Sequence, residues 1–397
     1  MEGDHVKIYY PLIPFSWLYG FGVTVRNIMF ECGLLHSESF DVPVISIGNI
    51  TVGGTGKTPH TEYLIKLLSP TQQVAVLSRG YKRKSKGYIL SDNSTPMSKI
   101  GDEPFQMKQK FPHIHMAVDK NRRHGIKELC KLSVYPAANV IILDDAYQHR
   151  YVTPGVNILL MDYHRLIYFD KLIPAGRLRE PRSSSNRADI VIVTKCPESI
   201  TPTERMGITQ SLKLQPWQKI YFTHFKYGNL KSIANGVSSK NKVNDIELSE
   251  LNDNEYNVLL LTGIASPQQM TYDLEKFCKF TSMSFPDHHD FTRKDIALVD
   301  RRIKELESNG KKTIVITTEK DATRLVSYIR QNPSDGSILS STEGRDFYAL
   351  PIEVVFMNDK ESEFNQFILG YVEKNSINST LSKIKNANTT KTTNNLE

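Results

Sequence analysis

Cysteine is scarce in this chain: four in 397 residues. Cys32, Cys130, Cys196 and Cys278 lie far apart, with no C-x-x-C pair. That spacing excludes a disulfide framework and fits a reduced compartment. Also missing is any run of roughly 20 apolar residues without charge, the length a membrane-spanning helix requires. The nearest approach, Ile8 to Leu35, is broken by Pro11 and Pro14 early and by Arg26 and Glu31 late. Met1 to Lys7 is polar, so no basic stretch precedes an apolar core as in a cleavable leader. No internal repeat is found, and no basic stretch interleaved with stacking aromatics, so nucleic acid is not an expected partner. The charge imbalance is small, 50 basic against 43 acidic residues for a net +7. It admits anionic partners without selecting one.

Hydrophobic residues make up 39% and charged residues 23%, which is the composition of a folded protein. The length favours two domains. Ile8–Leu35 is dense in aromatic and aliphatic residues; it reads as an interfacial element with Trp17 at headgroup depth, or else as a helix packed on the core. Short β-branched runs then alternate with amphipathic ones. Strands are expected at Val42–Ile47, Val74–Ser78, Asn139–Leu143, Val156–Met161 and Asp189–Thr194, with helices at Thr58–Leu68 and Lys120–Leu132. This alternation predicts βαβ units and a parallel sheet. A polar stretch, Tyr227–Asn257, reads as a loop at a domain joint. A second α/β set follows, with strands at Val258–Thr262 and Thr313–Thr318 and helices at Pro267–Phe280 and Arg293–Ser308. The division is therefore 1–36 (membrane-associating helix), 37–225 (core), 226–257 (linker), 258–370 (second domain) and 371–397 (disordered polar tail).

Between the first strand and the first core helix stands Gly53-Gly54-Thr55-Gly56-Lys57-Thr58. Glycines let successive N–H groups wrap an anion, and the following helix offers its positive end. Lys57 can reach the β- and γ-phosphates, and the Thr58 hydroxyl can ligate Mg²⁺. Thr51 replaces the first glycine of the usual pattern, and Val52 completes the turn, so nucleotide binding is assigned to 51–58. A phosphate loop predicts acids at the end of another buried strand. Asp144 and Asp145 stand directly after Val140–Leu143, where a carboxylate can hold the metal's shell. Gln148 and His149 follow, facing the γ-phosphate or packing at the sheet edge. Asp102, in "GDEP", reads on its own either as a helix N-cap or as an acid free to act. "PDHHD" gives no metal cluster, because adjacent residues in extended chain point opposite ways. "VTKC" begins like a guanine-recognition motif but lacks its aspartate. Arg79 to Lys86 packs five cations into eight residues, suited to an anionic surface or a phosphate.

The ordered set "GGTGKTP", "SRGY", "GDEP", "DDAYQHR", "LIPAGRLREP", "VTK", "FPDHHDF" and "TTEKDA" resembles the tetraacyldisaccharide 4'-kinases of lipid A biosynthesis, from about residue 10 to about 360. Ala146-Tyr147 stands where that family often has Gly-Phe, and Asn121 where it often has Asp. The resemblance implies an α/β fold, a P-loop NTPase-like parallel-sheet core with a second, smaller α/β domain and an N-terminal membrane-associating helical element. It implies ATP and Mg²⁺ as cofactors and a tetraacyl disaccharide 1-phosphate as acceptor of the γ-phosphate at its 4'-hydroxyl. It also implies a peripheral, monotopic place on the cytoplasmic side of the bacterial inner membrane, and the chain is expected to act as a monomer. By the same resemblance Asp102 is the general base working with His288, Arg179 and Glu180 face the nucleotide or the metal, and Arg122 assists the transferring phosphate. For Lys320 and Asp321 two readings stay open, a structural pair or a part in shaping the cleft.

Overall fold

The computed structural model describes residues 7–131, 137–233, 245–251, 255–264, 267–287, 289–332 and 346–375. His288 and the tail beyond 375 lie outside them, as does part of the expected Tyr227–Asn257 loop. The chain forms two compact units, Met1–His224 with Val354–Glu397, and Phe225–Glu353.

The strands in chain order are β1 (Val44–Gly48), β2 (Val74–Ser78), β3 (Ile89–Ser91), β4 (His115–Val118), β5 (Val140–Asp144), β6 (Val156–Asp162), β7 (Ile190–Thr194), β8 (Lys219–Tyr227), β9 (Lys231–Ser232), β10 (Tyr256–Thr262), β11 (Thr281–Ser284), β12 (Lys312–Thr318), β13 (Asp346–Leu350) and β14 (Ile352–Phe356). The first unit holds a nine-stranded sheet ordered β14-β8-β7-β6-β1-β5-β2-β4-β3. Every residue of β1, β2, β5 and β7 is buried. Parallel strands covered on both faces need such continuous apolar runs, which is why the sequence announces them. β1 lies between β5 and β6 and runs parallel to both. The second unit holds a smaller sheet ordered β11-β10-β12-β13-β9, with only β9 antiparallel to its neighbour.

Two expectations about the chain's course are corrected. The second domain was carried to residue 370, but the chain returns to the first unit at Val354. Only Pro351 separates β13 from β14, so no turn signal marks the change. The disordered tail was begun at 371, yet residues 361–375 are helical. Phe364, Ile368 and Val372 recur every four residues and are buried. The Tyr371 hydroxyl accepts from the Val44 amide at 3.1 Å and lies 3.3 Å from the Val44 carbonyl. A helix needs only that one apolar stripe, which a polar composition conceals.

Asp321 and Arg324, in the helix Glu319–Gln331, are almost fully buried. Asp321 accepts from the Gly263 amide (2.8 Å) and the Thr318 hydroxyl (2.8 Å), and pairs with Arg324 at 3.0 Å. Arg324 also donates to the Gly263 carbonyl. The unassigned aspartate is thus a brace between β12 and the loop after β10. Asp321→Ala removes the buried carboxylate that faces the Arg324 guanidinium and is expected to cost the second unit about 3–5 kcal/mol. Urea unfolding followed at that unit measures it, and a loss below about 1 kcal/mol contradicts the assignment.

The N-terminal helix Ile13–Glu31 is amphipathic in an inverted sense. Ser16, Gly20, Asn27 and Phe30 face the first unit and are buried. Ser16 donates to the Leu172 carbonyl at 2.8 Å, and a Cβ on Gly20 would stand 2.6 Å from Leu172. Trp17, Leu18, Phe21, Val25 and Ile28 line the other face, with Trp17 72% and Phe21 69% exposed. Among the described residues no helix is long and apolar enough to cross a membrane.

Candidate active site

The register of the sheet assembles the site. Ile47, near the end of β1, lies opposite Asp144 at the end of β5. The turn leaving β1 and the acids leaving β5 therefore emerge side by side. Within the turn, Gly53 (φ 120°) and Gly56 (φ 79°) take left-handed conformations that a side chain would strain. Gly56 leads directly into the helix Lys57–Leu68, whose N-terminus carries no side-chain cap. The Val52 amide donates to the Arg177 carbonyl at 2.8 Å, and Thr51 bridges to Leu178. Thr51 and Val52, both expected at the nucleotide, are thus tied to the "AGRL" segment.

The two acids differ. Asp144 is 2% exposed and accepts from Ser78 (3.0 Å) and Thr61 (3.4 Å). Burial pushes its pKa up, reinforced by Glu103 and Asp145 and opposed by Lys57 and Ser78. Asp145 is a non-glycine residue at φ 48°. Its Oδ1 lies 3.6 Å from Lys57 Nζ and its Oδ2 3.7 Å from Arg179. Burial acts upward on Asp145 too, but Lys57, Arg179 and Arg122 together outweigh it and hold its carboxyl below the usual range. Four predicted residues, Lys57, Arg179, Asp144 and Asp145, thus meet at one place.

Asp102 opens the helix Asp102–Lys110 and accepts from the Glu103 amide at 3.0 Å. The helix Lys57–Leu68 follows β1 through the turn, and Asp102–Lys110 packs against it. Glu62 joins them, taking bonds from Gln106 (3.1 Å) and from Lys110 (2.6 Å), the last residue of its helix. Glu103, the second residue of this helix, is near enough to Asp144 to raise its pKa. The turn before Asp102 is fixed by Gly101 (φ 92°), where a Cβ would stand 2.7 Å from the Tyr81 carbonyl.

Arg122 is buried beneath the acids. It donates to the carbonyls of Asp119 (2.5 Å) and Asp144 (3.2 Å), so in this state it braces the acidic turn. Burial lowers its pKa to about 10, with Asp144 and Asp145 opposing. Asn121 caps the helix Arg122–Cys130 by accepting from the His124 amide, a task Asp performs equally well. Gln148 donates to the Asn49 carbonyl at 2.6 Å. His149 lines a cavity of about 280 Å³ with Ser46, Asn157, Arg187 and Asp189, a space that no residue of 53–58 borders. Burial and nearby arginines push its pKa down to about 4. Glu180 is buried against Arg187 at 2.7 Å, and its Oε1 has no partner. Thr58 sits in the first helical turn beside Lys57. Among residues without an assigned role in the sequence reading, Ser78, Glu62 and Glu103 support the site. Ser78 and Glu103 stand inside "SRGY" and "GDEP", and Glu62 reads only as a polar helix position.

Amide turn, lysine, paired acids and a central parallel strand together define a P-loop nucleotide-dependent enzyme. A family model for tetraacyldisaccharide-1-P 4'-kinase (LpxK) matches residues 8–373. The chain belongs to that family. It is 51% identical over 383 residues to a tetraacyldisaccharide 4'-kinase of Phocaeicola vulgatus, covering 96% of this chain and 100% of that one. It is 49% identical over 390 residues to the same-named protein of Bacteroides thetaiotaomicron, covering 98% and 99%. A crystal structure of LpxK from Aquifex aeolicus in complex with ATP superposes with a TM-score of 0.65 at 29% identity, covering 91% of this chain and 99% of that one.

Proposed function

We propose that this enzyme transfers the γ-phosphate of ATP to the 4'-hydroxyl of a tetraacyl disaccharide 1-phosphate, forming lipid IVA, at the cytoplasmic face of the inner membrane. The observation that carries the reading is the convergence of Lys57 and Arg179 on Asp145 beside an amide-lined turn. Phosphoryl transfer asks chiefly for position and charge neutralisation. The turn 53–58 holds the β- and γ-phosphates through main-chain N–H groups, with Lys57 and Arg179 turning from Asp145 to the phosphate oxygens. The 4'-oxygen attacks the γ-phosphorus, the bond to the bridging oxygen breaks, ADP leaves, and Asp102 takes the hydroxyl proton. His288 supports that transfer by family position. Arg122 acts through the acidic turn it braces.

The donor set fits Mg²⁺. Thr58, Asp144 and Asp145 offer hard oxygen donors of the kind Mg²⁺ takes, and Mg²⁺ leaves its other positions to water and phosphate oxygens. Thr58 and one of Asp144 and Asp145 would hold it, with the unpartnered Glu180 Oε1 a further oxygen. When bound, it neutralises charge on the β- and γ-phosphates.

The outward apolar face of Ile13–Glu31 supports a peripheral place on the lipid surface. Replacing both Trp17 and Phe21 with serine removes two exposed anchors, each worth about 1.5–3 kcal/mol when buried. Binding to phosphatidylethanolamine–phosphatidylglycerol vesicles is expected to fall at least about tenfold in co-sedimentation; unchanged binding removes the membrane role. The transfer itself is tested with radiolabelled ATP and two acceptors, the tetraacyl disaccharide 1-phosphate and its deacylated form. Label is expected in the acylated acceptor. None there refutes the proposed reaction.

A further inference from the structure

An amide cradle binds an anion only if its carbonyls point away. In this chain four successive carbonyls of the phosphate turn are each met by a side chain from outside. Asn49 Nδ2 reaches the Gly53 carbonyl at 3.5 Å and the Thr55 hydroxyl at 2.8 Å. Lys195 Nζ donates to the Gly54 carbonyl. The Thr194 hydroxyl donates to the Thr55 carbonyl at 3.0 Å. His60 Nδ1 lies 2.8 Å from the Gly56 carbonyl, and its Nε2 lies 3.0 Å from the Thr223 hydroxyl. Burial lowers the His60 pKa to about 4, so the ring is neutral near pH 7. A carbonyl accepts only, so Nδ1 carries the proton and Nε2 takes the Thr223 hydroxyl.

Lys195 is the only cation in this set. Its side chain is 11% exposed, and Asp162 holds it at 2.8 Å from the end of β6. Asp162 is itself 8% exposed at its side chain and caps the short turn Tyr163–Arg165 through the His164 amide. Lys195 directly follows β7, at a left-handed φ of 57°. It thus stands at a fixed point outside the turn, and its charge lies behind the same peptide units whose N–H groups face the anion. The "VTK" segment thus contacts the turn through both Thr194 and Lys195.

We propose that Lys195, held by Asp162, is a positioning residue for ATP: by drawing the Gly54 carbonyl outward it keeps the amide cradle in its phosphate-binding form before nucleotide arrives. The proposal rests on the reading that residues 53–58 hold the triphosphate. Loss of a positioning contact of this kind typically costs about 10–100-fold. Lys195→Met is made alone and together with Asp162→Asn, the double variant avoiding a buried unpaired carboxylate. Lys195→Arg is the conservative control. ATP and ADP affinities are measured by calorimetry, the KM values for ATP and lipid acceptor by kinetics, and unfolding without nucleotide by calorimetric scanning.

In both methionine variants, ATP and ADP affinity is expected to fall about 10–100-fold. The acceptor KM should change less than about twofold, the nucleotide-free unfolding midpoint of the double variant should stay near that of the parent, and Lys195→Arg should recover most of the affinity. Nucleotide affinity within about twofold of the parent in the double variant overturns the proposal. So does a parallel loss of ATP binding, acceptor binding and unfolding temperature, which marks a general structural role. Failure of the underlying reading looks different: Lys57→Met then binds ATP and ADP as the parent does, whatever Lys195 does.

Discussion

Asp102→Asn is expected to bind ATP as the parent enzyme does and to transfer phosphate about 10²–10⁴-fold more slowly. Asparagine keeps the size of the side chain, and its oxygen can still accept from the Glu103 amide at the helix start. What it cannot do is take the proton from the sugar hydroxyl. The effect therefore falls on kcat, with KM for ATP little changed, the pattern of an interaction made only in the transition state. Steady-state kinetics with the acylated acceptor measure it. A variant losing less than about tenfold in kcat returns Asp102 to the role its position also permits, an acid at the positive end of its helix. Glu62 ties the two helices together, and Glu103, next to Asp102, acts on Asp144.

Lys57→Met is expected to lower kcat by about 10²–10³ and to weaken ATP binding as well. Lys57 is the nearest cation to Asp145, at 3.6 Å, and with Arg179 it overcomes the burial that raises that acid's pKa. Removing it takes a counter-charge from the transferring phosphate and from Asp145 together, so the acid's pKa rises. Transient phosphoryl transfer and ATP titration give the two effects separately. Equal activity in parent and variant excludes Lys57 from the reaction.

Much of this was legible in the sequence, for identifiable physical reasons. β2 is read from Val74 to Ser78 and found there, because a doubly covered parallel strand must be an unbroken apolar run. The phosphate turn is legible because few residues tolerate its backbone, and Gly53 and Gly56 take the left-handed conformations glycine permits. Asp144 and Asp145 are legible as acids at a strand end, and the parallel register of β1 and β5 then forces them beside the turn. Less was readable where the signal depends on distant partners. The bracing of the turn by Lys195 and Asp162 joins residues 33 positions apart, and neither is unusual locally. The family resemblance puts Arg122 at the transferring phosphate, yet its burial against two carbonyls emerges only from packing. The return of the chain at Val354 leaves no mark because one proline separates two strands of different sheets. The polar, small-residue face of Ile13–Glu31 turns toward the protein, opposite to the usual arrangement, and periodicity alone does not say which face is covered.

The most direct test of the whole account is a crystal structure of the enzyme with a non-hydrolysable ATP analogue and Mg²⁺. The account predicts β-phosphate oxygens within about 3.2 Å of main-chain nitrogens of Gly54 to Thr58, Lys57 Nζ moved from Asp145 onto the phosphates, and the Gly54 carbonyl still facing Lys195. An analogue seated away from residues 53–58, with Lys57 still on Asp145, contradicts it.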